Sequence, residues 1–365
     1  PAMLLCYWCF GYGAWLCLAL MLAAGIIAHH QKLSALLAAG ILLLPATQYP
    51  ATTWWSKPDL DREYVLSLDV EHYFGNIQKM RKHLETDRQI LWVTYYRNLY
   101  NATHPSEINS PVSLSRNLLA WNQPGTNGLI LPVNPSASFL SILFANELWF
   151  TLGDMTMAEH CAMLSMIFSP RNSGSRMIKR LAEINLVNGD DEAALKYLRI
   201  LDKTLLHKSW AEKRIPGQQT PRVKEWLEKK RRDIPTQDHL RSGNDAVTSL
   251  RNLVASNAGN LRAYEYLLCY HLLSKDLRSF VEDYVPGKVS SSIFAEALLI
   301  HLARQGNIRA EELIKYQIPV KIAKEFADYT RLYEAKDTSL KEKYGKTYWF
   351  YYHFATTEPG KESKP

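Results

Sequence analysis

The first 56 residues of the chain contain almost no charge. Asp, Glu, Lys and Arg are absent from Pro1–Gln31 and again from Leu33–Ser56, so Lys32 is the only fixed charge in this region. A helix on the surface of a soluble protein needs a polar face, whereas about 20 apolar residues are enough to cross the hydrocarbon core of a bilayer. The missing charge therefore excludes an ordinary soluble helix. It predicts a membrane region over residues 1–56 with two transmembrane helices, at about residues 3–28 and 33–49.

The apolar region also lacks the features of a secretory signal peptide. The chain begins Pro1-Ala2-Met3, with no basic segment before the apolar run. The absence of an initiating Met predicts a longer protein with further spans upstream. The short turn His29–Lys32 predicts an antiparallel membrane hairpin. If Lys32 marks the cytoplasmic side, the positive-inside rule places the large domain in the periplasm.

Cysteine is scarce in the rest of the chain, and the familiar catalytic motifs are missing. Only Cys161 and Cys269 follow the apolar region, which excludes a disulfide framework. There is no Gly-rich phosphate loop, nucleophile elbow, zinc-protease helix motif or calcium loop. These absences argue against the common soluble enzymes. We predict no catalytic residue, no cofactor site and no metal site.

Beyond residue 56 the apolar residues recur at helical spacing, as in Ile77, Met80 and Leu84. This periodicity predicts an all-α domain. Its predicted parts are a first helical region at residues 57–101, a Pro- and Gly-rich insert at 102–135, further helices at 136–354 with a charged insert at about 205–241, and a disordered tail at 355–365.

Two segments of the helical region resemble tetratricopeptide repeats. In the first, Gly153-Asp154 turns the chain between two helices, and Ala158 lets the second helix pack closely; Gly189-Asp190 and Ala194 repeat this order 36 residues later. The family period is about 34 residues. Weaker copies surround Gly75-Asn76, Lys275-Asp276 and Gly306-Asn307. Five such units predict a solenoid, in which neighbours bury faces that one hairpin cannot hide.

A membrane hairpin followed by these repeats resembles a family of uncharacterised multi-pass bacterial membrane proteins with a C-terminal tetratricopeptide-like helical domain. The resemblance extends over nearly the whole chain. It implies a location in the bacterial inner membrane, and it assigns no activity to particular residues.

Two segments have more than one interpretation. The basic cluster Lys229–Arg232 is suited to anionic lipid headgroups, but acidic neighbours favour a solvated helix over Arg222–Arg232. The aromatic run Tyr344–Phe354 favours a cap on the last repeat over a surface that stacks on sugars or lies on the bilayer. A periplasmic domain would exclude nucleic acid as a partner.

Repeat solenoids present extended surfaces to proteins and peptides, so the first functional hypothesis is a scaffold or binding protein held at the lipid bilayer. Repeat position makes four residues the candidates for contact with a protein or peptide partner: Asn146, Trp149, Asn185 and His271. The second hypothesis is the accessory tail of a membrane enzyme, such as a glycosyltransferase that uses a lipid-linked sugar. Many upstream spans with acidic residues in an external loop would favour the enzyme.

Overall fold

The computed structural model describes residues 57–85, 90–104, 114–121, 124–133, 139–168, 174–237 and 245–356. The two predicted transmembrane helices lie outside these residues. Within the described ranges, no helix combines the length and the apolar character needed to cross a membrane. The chain divides into two units between Val70 and Glu71, and the packing and the site below belong to the second.

Regular structure in the described part of the chain is entirely helical, which confirms the all-α prediction. The elements are α1 (Lys57–Tyr73), α2 (Ile77–Leu84), α3 (Leu91–Thr103), a 3-10 helix (Ser115–Asn117), α4 (Leu118–Trp121), α5 (Phe139–Leu152), α6 (Met155–Ile167), α7 (Ser175–Asn188), α8 (Asp191–Asp202), α9 (Lys208–Glu212), α10 (Pro221–Arg231), α11 (Ala246–Ser256), α12 (Leu261–Leu273), α13 (Leu277–Asp283), α14 (Ser292–Arg304), α15 (Ala310–Lys315), α16 (Val320–Glu334), α17 (Leu340–Tyr344) and α18 (Tyr348–Phe354).

One turn geometry closes the helix at each of the five predicted turn positions. The residue that leaves the helix has a positive φ, and the next amide donates to the carbonyl five residues earlier. At the best-formed turn, Gly189 has φ +82° and the Asp190 amide lies 2.9 Å from the Asn185 carbonyl oxygen. This arrangement satisfies carbonyls that the end of a helix otherwise leaves unpaired. The same bond joins Asn76 to Glu71, Asp154 to Trp149, Asp276 to His271 and Asn307 to Leu302.

At three of these turns an aspartate also begins the following helix. The Asp154 carboxylate accepts a hydrogen bond from the Met157 amide at 2.8 Å, and Asp190 does the same for Ala193 at 2.9 Å. Asp276 accepts from the Ser279 amide at 3.0 Å. One residue therefore closes the first helix through its amide and caps the second through its side chain, which keeps the turn short.

Small residues allow successive helices to pack closely. Helix α5 packs on α6, α6 on α7, and α7 on α8. Ala158 and Ala162 of α6 and Ala182 of α7 are fully buried. Ala162 contacts Leu181 in one apolar cluster, and Ala182 contacts Leu198 in the next. A core shared between neighbouring hairpins is the type of burial that a solenoid requires.

The charged insert is packed more tightly than its sequence suggests. Helix α10 buries Val223 and Leu227, which lie one turn apart on the face toward the protein. The Arg231 guanidinium donates to the carbonyls of Val187 and Leu186 at 3.0 and 2.8 Å. The expectation of a solvated helix is therefore wrong for this face, because the mixed charges around it conceal an apolar pair at helical spacing.

The C-terminal aromatic run is bonded to earlier helices. The Tyr348 amide donates to the Glu296 carboxylate at 2.6 Å, and the Trp349 indole donates to the Glu296 carbonyl at 3.0 Å. The Tyr348 hydroxyl donates to the Leu272 carbonyl at 2.9 Å. Burial raises the pKa of the Glu296 carboxyl to about 7. These bonds join α18 to α14 and α12.

Candidate functional site

The four residues predicted to contact a partner are buried in the structure. Their exposed fractions are 0% for Asn146, 2% for Trp149, 8% for Asn185 and 2% for His271. Trp149, Asn185 and His271 occupy the same place in three successive turns, since the carbonyl of each accepts the turn amide. The three residues therefore hold equivalent backbone positions in their turns. Contact of the four side chains with a partner remains a prediction.

Three of these side chains, those of Asn146, Asn185 and His271, form hydrogen bonds within the helical domain. Asn146 donates to the Ala158 carbonyl at 2.6 Å, and Asn185 donates to a carbonyl one turn earlier in its own helix at 2.7 Å. His271 Nε2 lies 2.8 Å from the Asp283 carboxylate. Among the described residues, each of these bonds is made to a residue outside the group of four, so the structure does not bring them together in one site.

Trp149 lines a cavity of about 200 Å³. Its indole Nε1 is buried and has no hydrogen-bond partner among the described residues. The other lining residues are Thr126, Asn127, Ile130, Leu131, Pro132, Val133, Met157, Asp245, Ala246, Ser249 and Tyr270. Ligand pockets usually measure roughly 300–1,000 Å³. This cavity is therefore smaller than a typical ligand pocket.

A larger group of charged and aromatic side chains lies on one face of α7. Arg176, Lys179, Arg180 and Glu183 are three or four residues apart, so they project from the same side of the helix. We define the α7 surface by the five cations and three rings that meet there: Arg176, Lys179, Arg180, Arg214 and Lys230 with Tyr73, Phe150 and Trp210. Arg180 and Phe150 are buried, and the other six are partly buried.

Cations and rings alternate along the α7 surface. Arg176 and Lys179 both lie over the Tyr73 ring, at 5.0 and 4.3 Å from its centroid. Lys179 and Arg214 both lie over the Trp210 ring, at 5.0 and 4.0 Å. The Lys179 ammonium also donates to the Tyr73 hydroxyl at 3.1 Å. Cations within about 6 Å of an aromatic face are attracted by the quadrupole of the ring, so two rings hold three cations in a row.

The third ring, Phe150 of α5, meets one cation from α7 and one from α10. Arg180 lies 3.8 Å and Lys230 lies 4.5 Å from the centroid of the Phe150 ring. Trp226 stacks on Phe150 with 6.3 Å between the ring centroids. The Lys230 ammonium lies 3.5 Å from the Phe150 carbonyl oxygen. Helix α10 therefore contributes Lys230 to the α7 surface and packs Trp226 against its third ring.

A buried carboxylate underlies one end of the α7 surface. Glu147 is 4% exposed and accepts from Arg176 at 2.8 Å and from Arg180 at 2.6 Å. His72 Nε2 lies 3.5 Å from the same carboxylate. Burial acts to raise the pKa of Glu147, but Arg180 and Arg176 outweigh it and hold the pKa well below its usual value. Glu147 therefore fixes the positions of two arginines.

The other three cations of the α7 surface have no carboxylate within 4.0 Å in the described part of the chain. Lys179, Arg214 and Lys230 contact rings, carbonyls and a phenol instead. Burial lowers the pKa of Arg214, and burial followed by the charge of Arg180 lowers the pKa of Lys230 to about 8. The buried Arg214 Nε also has no hydrogen-bond partner among the residues that the structure describes. Positive charge is therefore in excess, and an anionic group would relieve it.

Sequence reasoning missed this surface because its parts lie far apart along the chain. The spacing of Arg176, Lys179 and Arg180 is visible in the sequence, but the same spacing occurs on solvated helices. The rings come from α1, α5 and α9, and their meeting depends on how the helices stack. Among the described residues, no three His, Cys, Asp or Glu side chains gather in a way that could hold a metal ion.

Comparison with known proteins gives one result. The model of a family described as a family of unknown function, DUF6057, matches residues 33–355. The match includes every helix described above and the second of the two uncharged stretches. No curated protein and no solved structure matches the chain.

Proposed function

We propose that this chain, which belongs to the DUF6057 family of unknown function, is a membrane-anchored helical-repeat scaffold that binds an acidic segment of another protein on the α7 surface. The observation that carries the proposal is a group of three partly buried cations, Lys179, Arg214 and Lys230, that have no carboxylate partner among the described residues. Charged groups in such places are usually paired. A partner that supplies carboxylates would complete the pairing.

The proposed membrane anchor is supported by the sequence of residues 1–56. Two uncharged stretches of spanning length flank the single charge of Lys32. We place this hairpin in the bacterial inner membrane and the helical domain in the periplasm, because Lys32, the only Lys or Arg of residues 1–56, lies in the turn between the two spans. The anchor would hold the α7 surface near the bilayer.

The proposed tetratricopeptide-like architecture is supported by the shared turns. The five sequence-predicted turns use the same backbone bond, and α5 to α8 stack in chain order. Helical solenoids of this kind present a continuous surface made from neighbouring hairpins. The α7 surface has this character, since its side chains come from several hairpins and from α10.

The arrangement of the α7 surface favours a peptide segment over a small anion. The cations are distributed along three rings instead of converging on one point, so a row of carboxylates can contact them in turn. Rings also restrict the cation side chains before binding, which lowers the entropy lost when a partner orders them. Arg214 adds a partly buried guanidinium over the Trp210 ring, and guanidiniums are suited to contacts with carboxylates.

Replacing two unpaired cations is expected to weaken the binding of an acidic peptide. The variant Lys179→Gln/Arg214→Gln removes the two charges that lie over the Trp210 ring. We expect a loss of affinity of about tenfold or more, since each charge-assisted contact contributes roughly 1 kcal/mol and tenfold corresponds to about 1.4 kcal/mol. Fluorescence anisotropy of a labelled glutamate-rich peptide would measure this, with the full chain in detergent micelles.

The matched control, Lys321→Gln/Lys324→Gln, removes the same charge from exposed positions on α16. It should leave the affinity within about twofold of the unmodified chain, because exposed charges act weakly through screened solvent. Equal losses in both variants would show nonspecific attraction and contradict the proposal. Binding of pyrophosphate at the α7 surface without binding of the peptide would also overturn it.

Reporter fusions are expected to place the turn of the proposed anchor and the C-terminus of the helical domain on opposite sides of the membrane. Green fluorescent protein fused after Lys32 should fluoresce, and alkaline phosphatase fused after Pro365 should be active, because the positive-inside rule puts Lys32 in the cytoplasm. Fluorescence from a green fluorescent protein fused after Pro365 would contradict the periplasmic placement. Recovery of the full chain in the soluble fraction would contradict the anchor itself.

A further inference from the structure

Two leucines project into solvent between α8 and α9. Leu205 is 97% exposed and Leu206 is 84% exposed, the highest values for large apolar residues in the described part of the chain. Single exposed leucines are common on protein surfaces, but an adjacent pair at this exposure is not. The pair leaves almost its whole apolar area in water.

The turn that carries these leucines is held by hydrogen bonds. The Thr204 hydroxyl donates to the Leu201 carbonyl at 2.7 Å and accepts from the His207 amide at 3.1 Å. The Lys208 amide donates to the Thr204 carbonyl at 3.2 Å. Beneath the turn, Leu201 is fully buried in an apolar cluster. The turn therefore holds both leucines away from the core.

Basic residues flank the turn that carries Leu205 and Leu206. Between residues 196 and 213 the basic residues outnumber the acidic ones by five to two, and Lys203 and Lys208 are exposed on either side of the leucine pair. In the described structure neither lysine has a carboxylate within 4.0 Å. The basic residues are Lys196, Arg199, Lys203, Lys208 and Lys213, and the acidic ones are Asp202 and Glu212.

We infer that Leu205 and Leu206 insert into the surface of an anionic lipid bilayer. A small apolar protrusion flanked by basic residues suits a bilayer interface. There the two leucines reach the boundary of the acyl chains and the lysines meet anionic headgroups. Basic residues near such a surface are attracted to its anionic headgroups. Two side chains are far short of the roughly 800 Å² that each partner buries in a stable protein interface. The contact is additional to the proposed anchor and uses a surface separate from Lys179 and Lys230.

Photocrosslinking tests this inference in the full chain reconstituted into vesicles. The photoreactive residue p-benzoylphenylalanine replaces Leu205 in one variant and Ile314, which is 76% exposed on α15, in the control. In phosphatidylglycerol vesicles we expect at least tenfold more lipid adduct at position 205 than at 314, measured by mass spectrometry. The yield at position 205 should fall severalfold in phosphatidylcholine vesicles and after Lys203→Gln/Lys208→Gln.

Equal lipid yields at the two positions, or a protein adduct in place of the lipid adduct at position 205, would overturn the inference. An adduct yield at position 205 that does not change with lipid charge would overturn the role given to the lysines. The anisotropy assay is independent of these results, because the Leu205 substitution leaves Lys179 and Arg214 in place. A negative result for lipid insertion of the leucines can therefore be distinguished from a negative result for peptide binding at the α7 surface.

Discussion

Alanine at Gly153 is expected to lower the free energy of unfolding by about 4 kcal/mol, whereas alanine at Gly189 should lower it by about 1 kcal/mol. Both glycines end a helix with positive φ, +92° and +82°. A Cβ atom at Gly153 would lie 2.3 Å from the Asp233 carbonyl oxygen and 2.7 Å from its carbon. At Gly189 a Cβ atom would meet nothing within 4 Å. Comparing the two alanine variants therefore separates the free-energy cost of the positive φ from the free-energy cost of the steric clash.

The clash at Gly153 cannot be relieved by a small movement, because Asp233 is bonded from two sides. The Asn260 side chain donates to the Asp233 carbonyl at 2.8 Å and to the Leu152 carbonyl at 2.7 Å. Arg262 lies 3.3 Å from the Asp233 carboxylate. Moving Asp233 would break these bonds, and Asn260 also caps α12. The overpacking cost of roughly 1–3 kcal/mol thus adds to the cost of the positive φ.

Equilibrium unfolding in urea, followed by circular dichroism on the full chain in detergent, would measure the two losses. A Gly153→Ala variant no less stable than Gly189→Ala would contradict the close approach to Asp233. A Gly189→Ala variant that loses as much as Gly153→Ala would show that the positive φ alone dominates. Far-ultraviolet spectra of both variants should match the unmodified chain before urea is added.

The turns show where sequence reasoning succeeds in this fold. Glycine before Asp or Asn marks a helix end directly, because glycine accepts positive φ and the next side chain can cap a helix. Two further turns of the same geometry follow α15 and α16, where Gln317 and Lys336 have φ of 53° and 52°. Neither is a glycine, so composition gives no signal there. These two turns are required only by the packing of the helices on either side of them.

The candidate site shows where sequence reasoning stops. Repeat position identifies Trp149, Asn185 and His271 as equivalent residues, and the backbone bonds of the turns confirm the equivalence. Exposure is not encoded in that position, and all three are buried. The α7 surface instead depends on contacts between residues as distant as Tyr73 and Lys179. Such contacts follow from helix stacking and cannot be read from local spacing.

Glutamine at Glu147 is expected to cost about 3–5 kcal/mol of stability. The substitution keeps the size of the side chain and removes the charge that faces Arg176 and Arg180. Breaking one side of a buried ion pair leaves its partner charged and poorly solvated, which accounts for a loss of this size. The two guanidiniums would also lose their fixed positions beside Tyr73 and Phe150. Affinity at the α7 surface should therefore fall together with stability.

The matched control is Glu282→Gln, which removes an exposed carboxylate 3.0 Å from Arg278. Exposed pairs of this type contribute about 0.5 kcal/mol or less, so this variant should unfold with nearly unchanged free energy. Comparable losses in the two variants would contradict the proposed role of Glu147. An unchanged stability for Glu147→Gln would show that its two ion pairs contribute nothing net.

The dependence of the Glu147 effect on pH provides a further test of its cause. The pKa of Glu147 in the folded protein lies well below its ordinary value of 4.5, so its carboxylate stabilises the fold fully above about pH 4.5. This contribution declines as the pH falls toward the folded-state pKa, where the carboxyl takes up its proton. Glutamine has no proton to gain. The difference in free energy of unfolding between the unmodified chain and Glu147→Gln should therefore be largest near neutral pH and shrink in acid. Urea unfolding at a series of pH values would measure it, and a difference independent of pH would assign the loss to packing instead of charge.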